Sequence, residues 1–433
     1  MSGGRLRPCG QHGVTLVELL VAMALGLMVA AGIVSVFLST SGSHRVQSQM
    51  ARLQEDGRFA ITRLVRDLRM ANAQYCTPPS GVHSADDEPR PTRAPMVQAS
   101  ALNEALSDLT TPWGSAPYPS RPTSPYRFPP FLTMRGYQCG KASCTPRAPA
   151  SLPPPGKENG RRVVGADVLT LRYLDISGGW ALGGASTASV TADGLLHHVT
   201  VAPGQGEPAI AEVYQAGDLM MLADCSDSQI FSANLQGSAF YPDASDTGLN
   251  LATPVMPPQL SAPRLFDFNR DFHTTTYYLQ VVELGDGSAT GALMRRDNGE
   301  ASEVVRGVER LDFLYGVEDA GGGTRYLTAS EVDDRAGGTI ACPPAPPDTP
   351  GDGYGCLWRA VKSIEVHMLV SGQQVHGTLT ADEQRYAYSI DGDTAPMAPD
   401  HAGRAVAPAE QGFDHRMLRR EFSALVSLRN DSP

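Results

Sequence analysis

Glu18 has the fewest chemical options of any acid in the chain. It is the only ionisable residue between Gly13 and Leu38, and every residue from Leu19 to Leu38 is apolar or small. A carboxylate at the edge of such a run is costly unless it meets a cation, so its chemistry is pairing. Cysteines form the second chemical set. Of the 7 in the chain, Cys9 precedes the apolar run and Cys76, Cys139, Cys144, Cys225, Cys342 and Cys356 follow it. Their spacing is not that of a zinc site, and an even number beyond the run suits disulfides in an oxidising compartment. Cys139 and Cys144 enclose only Gly-Lys-Ala-Ser, and Cys342 and Cys356 bracket a loop rich in proline and glycine. Pairing each of these leaves Cys76 with Cys225, which would tie the end of a helix to a sheet.

Other constellations carry less. The chain lacks a GxSxG elbow, an HExxH pair, a P-loop and a DxDxDG calcium loop. Gly204 and Gly206 lie between strand patterns and do not open a helix of the kind that binds nucleotides. His197 and His198 fall in a strand pattern, where neighbours face opposite sides. Asp267/Asp271, Glu331/Asp333/Asp334 and Asp348/Asp352 are acid clusters of unspecific spacing, read as solvated loops rather than calcium sites. No cofactor and no metal is expected, and no enzyme activity. A membrane-anchored periplasmic enzyme, the remote alternative, would need a gathered nucleophile, base or metal set. The formal charge of −11 argues against non-specific nucleic-acid binding.

These groups depend on one long helix and a β-rich body. About 20 apolar helical residues at ~1.5 Å each cover a hydrocarbon core of ~30 Å, so residues 14–40 read as a membrane or filament-core segment. Residues 41–75 continue as an amphipathic half. There Met50, Leu53, Gly57, Ala60, Leu64, Leu68 and Ala71 recur every three or four positions, and Arg52, Glu55, Arg63 and Arg66 take other faces. No proline falls between Gly10 and Pro78, so nothing forces a break, and Gly26 and Gly32 are the only soft points in the apolar half.

Half of the chain's 34 prolines lie in residues 76–160, read as an irregular insert with one short helix within residues 99–109. Strand patterns fill residues 161–433 without intervening helices. In VKSIEVHMLVSG (361–372), Ile364, Val366, Met368 and Val370 share a face that should be the buried one. The order predicts an α+β fold, a long N-terminal helix packed on an antiparallel β-sheet head.

The leader MSGGRLRPCGQHG (1–13) is polar and basic, and it ends in glycine before the apolar run rather than after it. A secretory signal has the opposite order. The start of the chain therefore resembles the class III signal of type IV pilins and type II secretion pseudopilins, with Glu18 at the fifth position after Gly13. Val14 stands where the family usually has phenylalanine, and the proline common in the membrane half of major pilins is missing. Residues 165–173 (GADVLTLRY), 223–231 (ADCSDSQIF), 304–319 (VVRGVERLDFLYGVED) and 418–430 (LRREFSALVSLRN) are similar to the PilW-type minor pilins. The resemblance implies cleavage after Gly13 and methylation at Val14 by prepilin peptidase. It also implies a register contact from Glu18 to a neighbouring amino terminus. The partners it implies are other minor pilins, the major pilin, the inner-membrane assembly machinery and a tip adhesin. The place it implies is the inner membrane, with the head in the periplasm, and then the filament tip. A pseudopilin of the J kind is the alternative within this class, although such chains are usually much shorter.

Overall fold

The computed structural model describes residues 13–73, 75, 94–108, 117–224, 227–243, 248–256, 262–285, 287–318, 323–343, 347–350, 353–373 and 379–428. Cys76, Cys225 and Asp352 lie outside them. The chain divides into two compact units, Met1–Arg52 and Leu53–Pro433. The helix Leu16–Leu68, 53 residues long, supplies nearly all of the described part of the first unit and opens the second. Its sequence is dominated by good helix formers and holds no proline. It ends in a turn where Asn72 takes φ +59, a left-handed conformation that asparagine tolerates better than most residues.

The second unit is α+β, its strands gathered into three sheets among the described residues. The C-terminal sheet runs Thr324–Leu327, Val308–Glu318, Val361–Ser371, Arg419–Ser427, antiparallel throughout. A six-stranded sheet runs Glu300–Arg306, Ala289–Asp297, Phe272–Glu283, Val168–Leu174, Met134–Cys139, Cys144–Thr145, also antiparallel. The third sheet is nine-stranded and has its own core of Trp180, Val199, Met220, Phe231, Phe240 and Leu265. One of its pairings is parallel, between Met96–Val97 and Ser228–Gln236.

Two expectations about strands change. The proline-rich stretch is not merely irregular. Met134–Cys139 pairs with Val168–Leu174 inside the six-stranded sheet, and Tyr126–Arg127 pairs with Met96–Val97. Prolines cluster up to Pro130 and resume at Pro146, which leaves a proline-free window long enough for a strand. The second change concerns Val361–Ser371, which is buried on both faces. Ile364, Val366 and Met368 are buried on one side, and Ser363, His367 and Leu369 on the other. It is a central strand, and Tyr386 and Tyr388 cover Leu369 from outside the sheet.

Both described cysteine pairs are disulfides, Cys139–Cys144 and Cys342–Cys356. The capping box of Thr328 and Glu331 starts the helix Ala329–Gly338, and Asp333 within it accepts from Arg135, Tyr118 and Trp358. Internal bonds of this kind account for the acid cluster at residues 331–334. His367 Nδ1 lies 2.8 Å from Glu421 Oε1, and Glu365 Oε1 lies 3.1 Å from Nε2. Burial opposes the charged imidazole, but the two glutamates outweigh it and raise the pKa.

Asp267 is fully buried. Its Oδ1 accepts from the Arg270 N–H at 3.2 Å, and among the described residues its Oδ2 accepts no hydrogen bond. Burial first, then the charge of Asp218 and that of Asp271, push its pKa up to about 7. The folded state therefore binds a proton that the unfolded chain has already lost. Stability falls as pH rises from the ordinary carboxylate range to neutrality, and each pKa unit corresponds to about 1.4 kcal/mol. The Asp267→Asn variant should unfold at higher denaturant than the parent at pH 8, and the gap should shrink as pH falls and close below about pH 4. Equilibrium unfolding at the two pH values checks this.

Candidate functional site

The N-terminal site is built by the first turn of the helix. Thr15 N and Oγ1 donate to Glu18 Oε2 at 2.9 and 3.0 Å, and Glu18 N donates to Thr15 Oγ1 at 3.3 Å. This reciprocal pair is a capping box, which satisfies donors that a helix start leaves open. Both hydrogen bonds to the carboxylate end on Oε2. Gly13 and Val14 are exposed immediately before it. From Leu16 to Leu38 the side chains that are described are exposed, among them Leu19, Leu20, Leu25, Met28, Val36 and Phe37. By length and composition the helix can cross a membrane. An exposed apolar helix of this size is stable only in a bilayer or against other apolar helices.

In the second unit the helix segment from Leu53 to Leu68 is held by strands of the six-stranded sheet and by the last strand, Arg419–Ser427. Leu53, Ala60, Leu64 and Leu68 are buried. A Cβ on Gly57 would stand 2.4 Å from ring carbons of Phe422, so only glycine lets Arg419–Ser427 approach this close. Asp67 Oδ2 accepts from Tyr277 Oη at 2.8 Å and from Arg295 Nε at 2.6 Å. Asp56 accepts from Gln373 Nε2 at 3.3 Å. The sequence pattern marked the apolar stripe and Gly57 within it. It gave no sign of the Asp67 contacts, whose partners lie more than two hundred residues away.

The remaining candidates do not converge. The His197 and His198 rings meet edge to face with Nδ1 atoms 2.7 Å apart, beside Tyr241. Strand alternation predicts them on opposite faces. A register shift between Ser189 and Val190 leaves His197 without a partner across the strand pair, and such a bulge re-aims a side chain. Glu207 ties down the glycine loop by accepting from Gly204 N, and a single helical turn, Ile210–Val213, follows it. Among the described residues no group of three or more His, Cys, Asp or Glu is placed to hold a metal ion.

Two families match the chain. The prokaryotic N-terminal methylation motif covers residues 9–34, which include Gly13, Val14, Thr15 and Glu18. The type IV pilus-assembly protein W family covers residues 276–430, which include Tyr277, Arg295, Gln373 and Phe422, all of which grip the helix. No curated protein and no solved structure matches. The two matches support a pilin associated with the type IV pilus. More narrowly, they support one of the PilW type, and they point to a structural role.

If Gly57 is the seat of the helix, Gly57→Leu should lower stability by at least about 1–3 kcal/mol, the usual cost of overpacking. Phe422→Ala in the same chain should recover part of that loss. Chemical denaturation of the full chain in detergent, with both single variants and the double, measures the coupling.

Proposed function

We propose that the chain is a minor pilin of a type IV pilus, with no enzymatic activity of its own. Prepilin peptidase cuts it after Gly13 and methylates the new amino group at Val14. The helix holds it in the inner membrane with the head in the periplasm. From there it joins other minor pilins in a complex that primes assembly of the major pilin and ends near the filament tip, serving adhesion and twitching motility. The chain thus falls into a leader (1–13), an apolar helix half (14–40), an amphipathic half (41–75), an insert (76–160) and a β-rich head (161–433).

One observation carries this reading. Three residues after Gly13 the helix begins, and its exposed apolar stretch Leu16–Leu38 holds a single carboxylate, in the first turn and within the segment that matches the methylation motif. A signal anchor has no need of that acid. A joining subunit does, because a buried carboxylate is tolerated beside a cation. The amino group of a neighbouring Val14 supplies one.

Peptide mass spectrometry of the mature protein should find a methylated Val14 at its amino terminus. An intact Met1, or a start beyond Leu38, refutes the reading. The capping and register roles of Glu18 separate in two variants. Glu18→Gln keeps an acceptor for Thr15 but loses the charge, and Glu18→Ala loses both. Both variants should be cut at Gly13 and fail to enter pili. Normal incorporation of Glu18→Gln would reduce the residue to a helix cap.

A further inference from the structure

Arg162 is a buried cation without a carboxylate. It is 6% exposed and makes no ion pair among the described residues. Arg135, Arg310, Arg404 and Arg419 are buried too, and each of them meets an acid, while buried Arg172 is met by the carbonyls of Leu132 and Ser107 and the Thr274 hydroxyl. Arg162 instead donates from Nη1 to the sulfurs of one disulfide, at 2.9 Å to Cys144 and 3.2 Å to Cys139, and from Nε to the Pro153 carbonyl at 3.4 Å. Burial lowers its pKa, and no neighbouring acid counters it.

A disulfide sulfur is a weak, neutral acceptor, whereas a thiolate is charged and accepts strongly. The pocket around Arg162 is therefore better matched to the opened bridge than to the closed one. Access agrees with this. Both cysteines are half-buried, and Gly140, Lys141, Ala142 and Ser143 between them are exposed. Cys139 is also anchored through its backbone, since its N–H donates to Asp167 Oδ1 at 2.8 Å. Opening the bridge would leave that attachment in place and free Cys144 beside the guanidinium. In the other described bridge, Cys356 is 1% exposed.

We propose that Cys139–Cys144 is an exchange-active disulfide that reacts with low-molecular-weight thiols, and that Arg162 is its positioning residue. The thiolate of the external thiol attacks Cys139 Sγ and forms a mixed disulfide. The Sγ–Sγ bond breaks, and Cys144 leaves with the electron pair as a thiolate held by Arg162. A second external thiolate attacks the external sulfur of the mixed disulfide. The two external thiols depart as their own disulfide, and Cys139 takes up a proton. Two electrons pass from the external thiols to the protein.

The test equilibrates the full chain, in detergent, with glutathione buffers of graded ratio. Alkylation and peptide mass spectrometry then read each cysteine pair. Cys139–Cys144 should open at a poise about tenfold less reducing, in equilibrium constant, than Cys342–Cys356. Arg162→Met should remove about tenfold of that preference, and Arg162→Lys should restore most of it. Should Arg162→Met fail to fold, Cys139→Ser leaves Cys144 as a thiol beside an intact Arg162. Its alkylation rate against pH should titrate below the free-cysteine value of about 8.5. Equal or greater resistance of Cys139–Cys144 to reduction overturns the proposal, as does a Cys144 thiol that titrates at or above that value.

Discussion

Asp67 is where the helix is locked to the head. Asp67 is buried, 6% exposed, and its carboxylate is shared between the Tyr277 hydroxyl and the Arg295 guanidinium. Arg295 is held in turn by Asp297 at 2.9 Å. A buried ion pair of this kind contributes little net stability, because desolvation offsets attraction. Its geometry is exacting, however, and it fixes the rotation of the segment Leu53–Leu68 about its own axis. With that rotation set, Leu53, Ala60, Leu64 and Leu68 lie in the core, and Gly57 faces Phe422. Apolar burial supplies the bulk of the binding, and Asp67 decides which face is bound. Tyr277 and Arg295 belong to the six-stranded sheet and Phe422 to the C-terminal sheet, so one helix segment ties two sheets together.

The same division of labour recurs around the C-terminal sheet. Arg419 and Glu309 are fully buried and bonded through two contacts, at 2.6 and 3.1 Å. Arg404 lies over the Tyr386 ring at 3.5 Å and pairs with Asp393 at 2.8 Å. Arg310 pairs with Asp312 and covers Tyr388. These contacts seat the segment after residue 379 in one position on the sheet. Removing any single partner would strand a charge in the core. A polar layer therefore specifies how the long, strand-poor segment 379–418 folds back, where apolar contacts alone would leave its register open.

Local patterns were legible in the sequence, and distant pairings were not. The three-and-four spacing gave the helix, alternation gave the C-terminal strands, and the four-residue gap between Cys139 and Cys144 gave a small loop. The Thr15-x-x-Glu18 spacing is a capping-box signature as well as a charge in an apolar run, and the structure uses it as both. Met134–Cys139 is hidden by its surroundings, because the prolines up to Pro130 and from Pro146 onward dominate the composition of the stretch that contains it. The two-sided burial of Val361–Ser371 could not be read from its alternation. That pattern reports side chains, and the cover on the second face comes from Tyr386 and Tyr388 after the strand has ended. Arg162 was invisible for a different reason. A lone arginine beside a strand pattern has no signature until the fold lays it on two sulfurs.

The capping box also bears on how Glu18 can serve a neighbour. A glutamate free on the flank of a helix reaches sideways and would meet a cation alongside. Here Thr15 holds Oε2 back over the helix start, while Oε1 accepts no hydrogen bond among the described residues. The carboxylate is thus fixed at the end of the helix and keeps one oxygen unoccupied. The positive end of the helix dipole steadies its charge. In the proposed assembly the partner's amino group meets Glu18 over the N-terminal end rather than along the flank. The apolar side chains from Leu19 onward then remain free to pack against neighbouring helices without carrying the charge between them. One threonine, three residues before the acid, separates the two tasks.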